Sequence, residues 1–305
     1  MSVFPKKIYY SKGVFEMRAS VVLTPSESKK LISKAIAKKK EVEIAMNNAY
    51  VILCEGTTNT FVAKELFGID IDCSNFTSGM NISGVLCNSD RAIRGKFPLV
   101  AYKGKLIDMS YEQAISDFYK DTVIIKGGNA IDPDGFVGII ISGYTGGSTA
   151  QVIGTSVSQG IRIICPIGLE KTIFSVPYAA RYTGGKLFGY SMGCDYGLFV
   201  LAHADVVTEI QAINILSGAT TIHVASGGID GSEGAVVLSI NGTEDEVNKA
   251  VAIIEGVKGE PAQKGIRMKC PGQSVAIGEE QQCKYVNCSF YHKDENSLPQ
   301  WIRTS

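Results

Sequence analysis

Five short apolar runs punctuate the middle of the chain: YVILC (50–54), PLVAY (98–102), TVII (122–125), VGIIIS (137–142) and IRIICPI (161–167). Between them, apolar residues recur at helical spacing over 58–67, 111–120 and 148–159. A strand with one wet face alternates apolar and polar residues, whereas an unbroken apolar run is buried on both faces. Strands and helices alternating in this way predict an α/β unit, with a mostly parallel Rossmann-like sheet and helices on both faces. The segment 70–96 breaks the rhythm, and a β-excursion is expected there.

A helix is expected to precede this unit. TPSE (24–27) offers a capping Thr24, Pro25 in the first turn and Glu27 to close a capping box. Leu31, Ile32, Ala35, Ile36, Val42 and Met46 continue the apolar stripe to about Asn48. The lysines between 29 and 40 fall on the opposite, solvated face. After Gly197 the pattern changes to strand, helix (206–217), strand (TTIHVAS), strand (GAVVLSI), helix (from Thr243) and a weak strand at 266–270. That order predicts a ferredoxin-like α+β module. The expected organisation is therefore an α/β domain over 1–196, a ferredoxin-like domain over 197–270 and a polar tail over 271–305, read as a surface strap or mobile end.

Composition narrows the partners. Lys plus Arg and Asp plus Glu are 30 each among 305 residues, so no net field draws the chain to nucleic acid or to an anionic membrane. No apolar stretch reaches bilayer-spanning length, and the start does not read as a secretory signal. Eight cysteines, none in C-x-x-C, suit reduced thiols and a cytoplasmic location.

Three polar, Gly-rich segments follow apolar runs: EGTTN (55–59), KGGNAIDPDG (126–135) and GYTGGST (143–149). Ligands of open α/β sheets bind beyond the carboxyl ends of the strands. Glycines there let the backbone approach an anion, and helix N-termini present unpaired N–H groups to it. A plain turn is the simpler reading of any one such segment; three at a single edge favour a site. PIGLEK (166–171) adds an acid and a base. The expected binding set is Gly56, Thr57, Thr58, Asn59, Gly127, Gly128, Asn129, Gly146, Gly147, Ser148, Thr149, Glu170 and Lys171, with Glu55, Lys126 and Asp132 as the candidate catalytic groups.

A strand ending in a G-T-T turn (Gly56, Thr57, Thr58) that enters a helix, followed later by a K-G-G turn (Lys126, Gly127, Gly128), resembles the ribose-5-phosphate isomerase, glucosamine-6-phosphate deaminase and CoA-transferase-like superfamily. The resemblance implies a phosphorylated or acyl small-molecule ligand at the strand ends. It also implies anion contacts from Thr57, Thr58 and Ser148, with Lys126 stabilising an enediolate-like charge. In the CoA-transferase reading Glu55 would be a carboxylate nucleophile.

Other signals carry less. GYSMG (189–193) fits the nucleophile-elbow pattern but lacks the strand-turn-helix setting that the elbow requires. Cys283, Cys288 and His292 offer three ligands at poor zinc spacing, and no metal site is expected. Arg91 and Arg94 read as solvated. No dinucleotide or P-loop motif is present, so no cofactor is implied. The resulting expectation is an enzyme acting on an anionic small molecule by isomerase-like proton transfer or acyl transfer. A non-catalytic metabolite sensor of the same fold is the alternative, and a homo-oligomer is expected in either case.

Overall fold

The computed structural model describes residues 17–89, 93–117, 120–143, 145–268, 270, 288–291 and 293–303. Arg91, Cys283 and His292 lie outside them. The first strands are β1 (Met17–Leu23), β2 (Tyr50–Leu53), β3 (Gly79–Ile82), β4 (Val85–Asn88), β5 (Leu99–Tyr102), β6 (Lys105–Ile107) and β7 (Val123–Ile125). The rest are β8 (Ala130–Ile131), β9 (Val137–Ile141), β10 (Arg162–Pro166), β11 (Gly197–Leu201), β12 (Asp205–Val207), β13 (Thr220–Ser226) and β14 (Val236–Gly242). The early helices are α1 (Pro25–Ala37), α2 (Lys40–Asn48), α3 (Thr57–Phe67), α4 (Tyr111–Ser116) and α5 (Gly147–Gln159). They are followed by α6 (Val176–Ala180), α7 (Glu209–Ser217), α8 (Glu244–Glu255) and α9 (Gln300–Arg303).

A mixed six-stranded sheet in the order β12-β10-β7-β2-β5-β6 forms the centre. The first four strands run parallel, while β5 and β6 close one side as an antiparallel hairpin. Alternate residues of each parallel strand enter two different cores. Val51, Leu53, Val123, Ile125 and Ile164 pack under α1, α2 and α3, whereas Tyr50, Ile52, Ile124, Ile163 and Cys165 face α4, α5 and β9. Burial on both faces is what the unbroken apolar runs require, and helices do cover both faces.

The run 137–142 is not part of this sheet. Strand β9 pairs antiparallel with β8 and β11 in a separate three-stranded layer. The cause is local: Asp132-Pro133-Asp134-Gly135 is strong turn chemistry, and it folds 130–141 into a hairpin. The assembly expected after Gly197 also differs. Strand β11 joins β9, and β12, expected as part of a helix, becomes the edge of the main sheet. In the place of β11, the N-terminal strand β1 pairs with β14 to give the antiparallel sheet β1-β14-β13. Helices α7 and α8 pack on this sheet, and their core residues Ala212, Ile213, Leu238, Ile240 and Val247 join the cluster that lines the main sheet. The two parts therefore share one core.

The capping box at Thr24 forms as expected, and a second one, at Thr243 with Glu246, opens α8. The first helix breaks, however, into α1 and α2 at Lys38–Lys39, where Lys39 pairs with Asp205 at 2.9 Å and Glu41 at 3.2 Å. The β-excursion is the hairpin β3-β4; in place of the weak strand expected at 266–270, the described residues there give an isolated bridge between Ser89 and Arg267 and a Met268 N–H bond to Asn88 O. No helix among the described residues is long and apolar enough to cross a membrane.

Gly128 sits where β7, β9 and β10 come closest. A Cβ there would overlap Val137 Cγ1 and lie 2.9 Å from Ile167 Cδ1. Gly128→Ala is therefore expected to destabilise the protein by about 1–3 kcal/mol through overpacking. Its urea midpoint should fall; an unchanged midpoint would contradict this close approach.

Candidate functional site

The carboxyl ends of the four parallel strands carry the charged residues. Strand β2 ends in Cys54-Glu55-Gly56, β7 in Lys126-Gly127-Gly128, β10 in the turn Gly168–Lys171, and β12 in Thr208-Glu209. Edge-wise placement of three of these four was expected. The fourth, Glu209, was not.

Lys126 and Glu55 form an ion pair at 3.7 Å, with side chains 5% and 10% exposed. Burial pushes the Lys126 ammonium down, but the Glu55 carboxylate beside it prevails and holds its pKa above the ordinary lysine value. Lys126 therefore stays charged at any physiological pH. The neighbouring thiols of Cys54 and Cys165 are pushed up to about 12 by burial and remain protonated.

Next to this pair, α3 begins at Gly56 with φ 154° and ψ 153° and with no side-chain cap. Only glycine readily adopts that conformation. The Gly56 N–H is held by Phe76 O at 2.9 Å, while Gln263 donates to Thr57 O and Thr60 Oγ1, both at 2.9 Å. Thr58 is buried. Asn59 is wholly buried and donates to Cys54 O at 2.7 Å and Ile125 O at 3.3 Å, tying the ends of β2 and β7 together. Its Oδ1 has no partner among the described residues. Asn59 thus shapes the rim from beneath.

Asp132 is buried but lies in the β8–β9 turn. Its Oδ1 accepts the N–H groups of Asp134 and Phe136 at 3.1 and 3.0 Å, and its Oδ2 accepts Val176 N–H at 2.8 Å. Three backbone donors engage this carboxylate in holding a turn, so the catalytic role expected of it is withdrawn. Asn129 is likewise engaged with strand β9, through Oδ1 to Ile140 N–H at 2.9 Å. Gly128 is required by packing, and its carbonyl accepts from Lys171 Nζ at 2.9 Å. Gly127 stands across from the Pro166 carbonyl. Gly146, Gly147, Ser148 and Thr149 open α5 after the separate β8-β9-β11 layer, so they do not follow a strand of the main sheet as expected. A Cβ on Gly146 would come within 2.8 Å of Ala150 Cβ, which explains that glycine by packing.

A second charged group surrounds the end of β10. Glu170 pairs with Lys29 of α1 at 3.9 Å. Burial first, and then the Lys29 ammonium, push the Lys171 amine below its ordinary value, with Glu170 offsetting part of the effect. Cys165 lies within electrostatic reach of both Lys126 and Lys171, so the two charged groups flank one strand end. Glu209 is fully buried at the start of α7. Its Oε2 accepts Leu169 N–H at 2.9 Å, and its Oε1 lies 3.4 Å from the place a Cβ would occupy on Gly168. Ser28 Oγ neighbours the carboxyl outside hydrogen-bond geometry. Burial raises the Glu209 pKa. Lys29 and Glu209 escaped the sequence reading because both sit inside ordinary amphipathic helices; the signal available was a Glu directly after an apolar strand, VVTE (206–209).

No protein-family model matches this chain, and no curated protein or solved structure was found to be similar to it.

The folded state holds the Glu209 proton more tightly than an unfolded carboxyl does. Its contribution to stability is therefore complete below the ordinary carboxylate pKa and is lost as pH rises through the raised value. Glu209→Gln keeps the shape without the titration. Its unfolding free energy relative to the native protein should rise as pH climbs above the ordinary carboxylate range, by at most about 1.4 kcal/mol per pH unit. A difference that does not vary with pH would refute the burial argument.

Proposed function

We propose that the chain is an enzyme that binds a small phosphorylated or acyl substrate at the carboxyl edge of the parallel strands and moves a proton on it. The observation that supports this most is the Glu55–Lys126 pair, two opposite charges almost withdrawn from water at the ends of adjacent strands. A buried ion pair is a poor source of stability, because desolvation consumes most of the attraction. An apolar pair would serve a purely structural purpose as well or better. A carboxylate beside a permanent ammonium is suited to proton transfer, with the ammonium stabilising the charge that develops.

In this reading Glu55 takes a proton from the carbon next to a substrate carbonyl. The electron pair moves onto the carbonyl oxygen, which Lys126 faces. On an α-hydroxy carbonyl, the hydroxyl proton then passes to that oxygen and the carbon-bound proton returns from Glu55 to the former carbonyl carbon, which gives the isomer with no oxidant or cofactor. The uncapped start of α3 and the amine of Lys171 supply donors for the anionic end of the substrate.

The test is a thermal-shift panel of sugar phosphates, acyl-CoAs and nucleotides, followed by NMR of each stabilising compound in D2O. A sugar phosphate or acyl compound should raise Tm in proportion to the logarithm of its concentration, and its proton next to the carbonyl should exchange with solvent. Glu55→Gln and Lys126→Met should slow that exchange by about 100-fold or more while binding persists. Binding without exchange in the native protein would replace the enzyme with a sensor. A blank panel would remove both.

A further inference from the structure

Away from the strand-end rim, the chain that leads into β11 lies against the hairpin β3-β4. Gly193 and Leu86 form a parallel bridge, fixed by Leu86 N–H to Met192 O at 3.3 Å and by Cys194 N–H to Leu86 O at 2.7 Å. Gly193 has φ 115°, and a Cβ there would overlap the Leu86 carbonyl, so only glycine permits this approach. Ser191 Oγ donates to Gly193 O at 2.7 Å and braces the same turn. One step further along the two chains, Cys87 falls opposite Cys194, and partners in a parallel ladder point to the same face. Their thiols are in hydrogen-bond contact.

We infer that Cys87 and Cys194 are a redox-active dithiol, which closes reversibly to a disulfide when Cys87 meets a small-molecule disulfide. Paired strands stand about 4.7–4.9 Å apart, and disulfides span Cα separations of roughly 4.4–6.8 Å. The bond can therefore form without rearranging the backbone. Buried cysteines commonly serve as small hydrophobes, as Cys54 and Cys165 do in the sheet. This pair differs because the sulfurs touch each other and because one of them is accessible. Cys87 is half-buried and Cys194 is buried, so an outside reagent meets Cys87 first. Cys270 is also within electrostatic reach of Cys87, but its N–H is held by Glu295 at 2.7 Å and burial pushes its thiol up to about 12.

The Cys194 contact foremost, then the Asn88 N–H and the Arg267 guanidinium, bring the Cys87 thiol down to about 7 against the effect of burial. A share of Cys87 is thus thiolate, the attacking form, at neutral pH. Having lost its proton to solvent, Cys87 attacks one sulfur of the reagent and forms a mixed disulfide. The other half of the reagent departs as thiolate and takes up a proton. Cys194 then gives its proton to solvent and attacks Cys87 Sγ, and the second half of the reagent leaves and is protonated in turn. Two protein thiols are oxidised while one reagent disulfide is reduced to two thiols. The new bond joins β4 covalently to the chain before β11.

The experiment equilibrates the reduced full chain with rising ratios of oxidised to reduced glutathione, quenches with acid, alkylates the remaining thiols in denaturant and maps the peptides. Alkylation of Cys87 and Cys194 should fall together by about tenfold or more, one linked peptide should appear, and dithiothreitol should restore both thiols. Cys54 and Cys165 should stay reduced throughout. Cys194→Ser should leave glutathione on Cys87, and Cys87→Ser should slow modification of Cys194 by about tenfold or more. The map of the native chain does not depend on how the variants fold. Full alkylation of Cys87 and Cys194 at the most oxidising ratio, glutathione retained on Cys87 of the native chain, or linkage of either thiol to another cysteine would each overturn the inference.

Discussion

A parallel strand covered on both faces has nowhere to place a charge except at its ends. In β2, β7 and β10 every residue from Tyr50 to Cys54, Val123 to Ile125 and Ile163 to Cys165 is taken into one of two apolar cores. The first polar side chain after each run stands at the edge. Glu55, Lys126 and Glu170 occupy such positions. The hydrophobic demands of the interior thus confine charge in these strands to their ends.

That logic was legible in the sequence as far as the periodicity went. Unbroken apolar runs gave the strands 50–54, 122–125 and 161–167 and the edge to which Glu55 and Lys126 belong. What could not be read was pairing. VGIIIS is as apolar as TVII, and nothing in its own composition reveals that its neighbour is β8 rather than β7. The deciding signal lay outside the strand, in the DPDG turn that precedes it, and it also converts Asp132 from a candidate acid into a turn clasp. The exchange of β11 for β1 beside β14 was hidden for a related reason: edge strands of similar apolarity compete for a place, and only three-dimensional packing selects between them.

The cysteines illustrate a different limit. Cys87, Cys194 and Cys288 come from three segments distant in the chain, and bridges at Leu86–Gly193 and Ser191–Cys288 make those segments neighbours. By contrast Cys54 and Cys165 lie in apolar strands, and their burial makes them inert. One residue type thus serves as hydrophobe in the sheet and, near β4, as partner in the Cys87–Cys194 thiol contact.

The charge balance at the rim bears on what it can receive. Glu55, Glu170 and Glu209 face Lys126, Lys29 and Lys171, which at full ionisation leaves no net charge for an anion to seek. The three pairs are not equivalent, however. Glu55 and Lys126 sit together, Glu170 turns toward Lys29, and Glu209 hydrogen-bonds a backbone amide instead of a cation. Burial opposes charge on both Glu209 and Lys171, but Lys171 is relieved by Glu170 and by partial exposure, whereas Glu209 lies wholly inside. Each proton that burial keeps on Glu209 leaves the rim one positive charge richer, without placing another lysine in the site. A carboxyl at the foot of α7 can in this way set the charge of the strand-end rim.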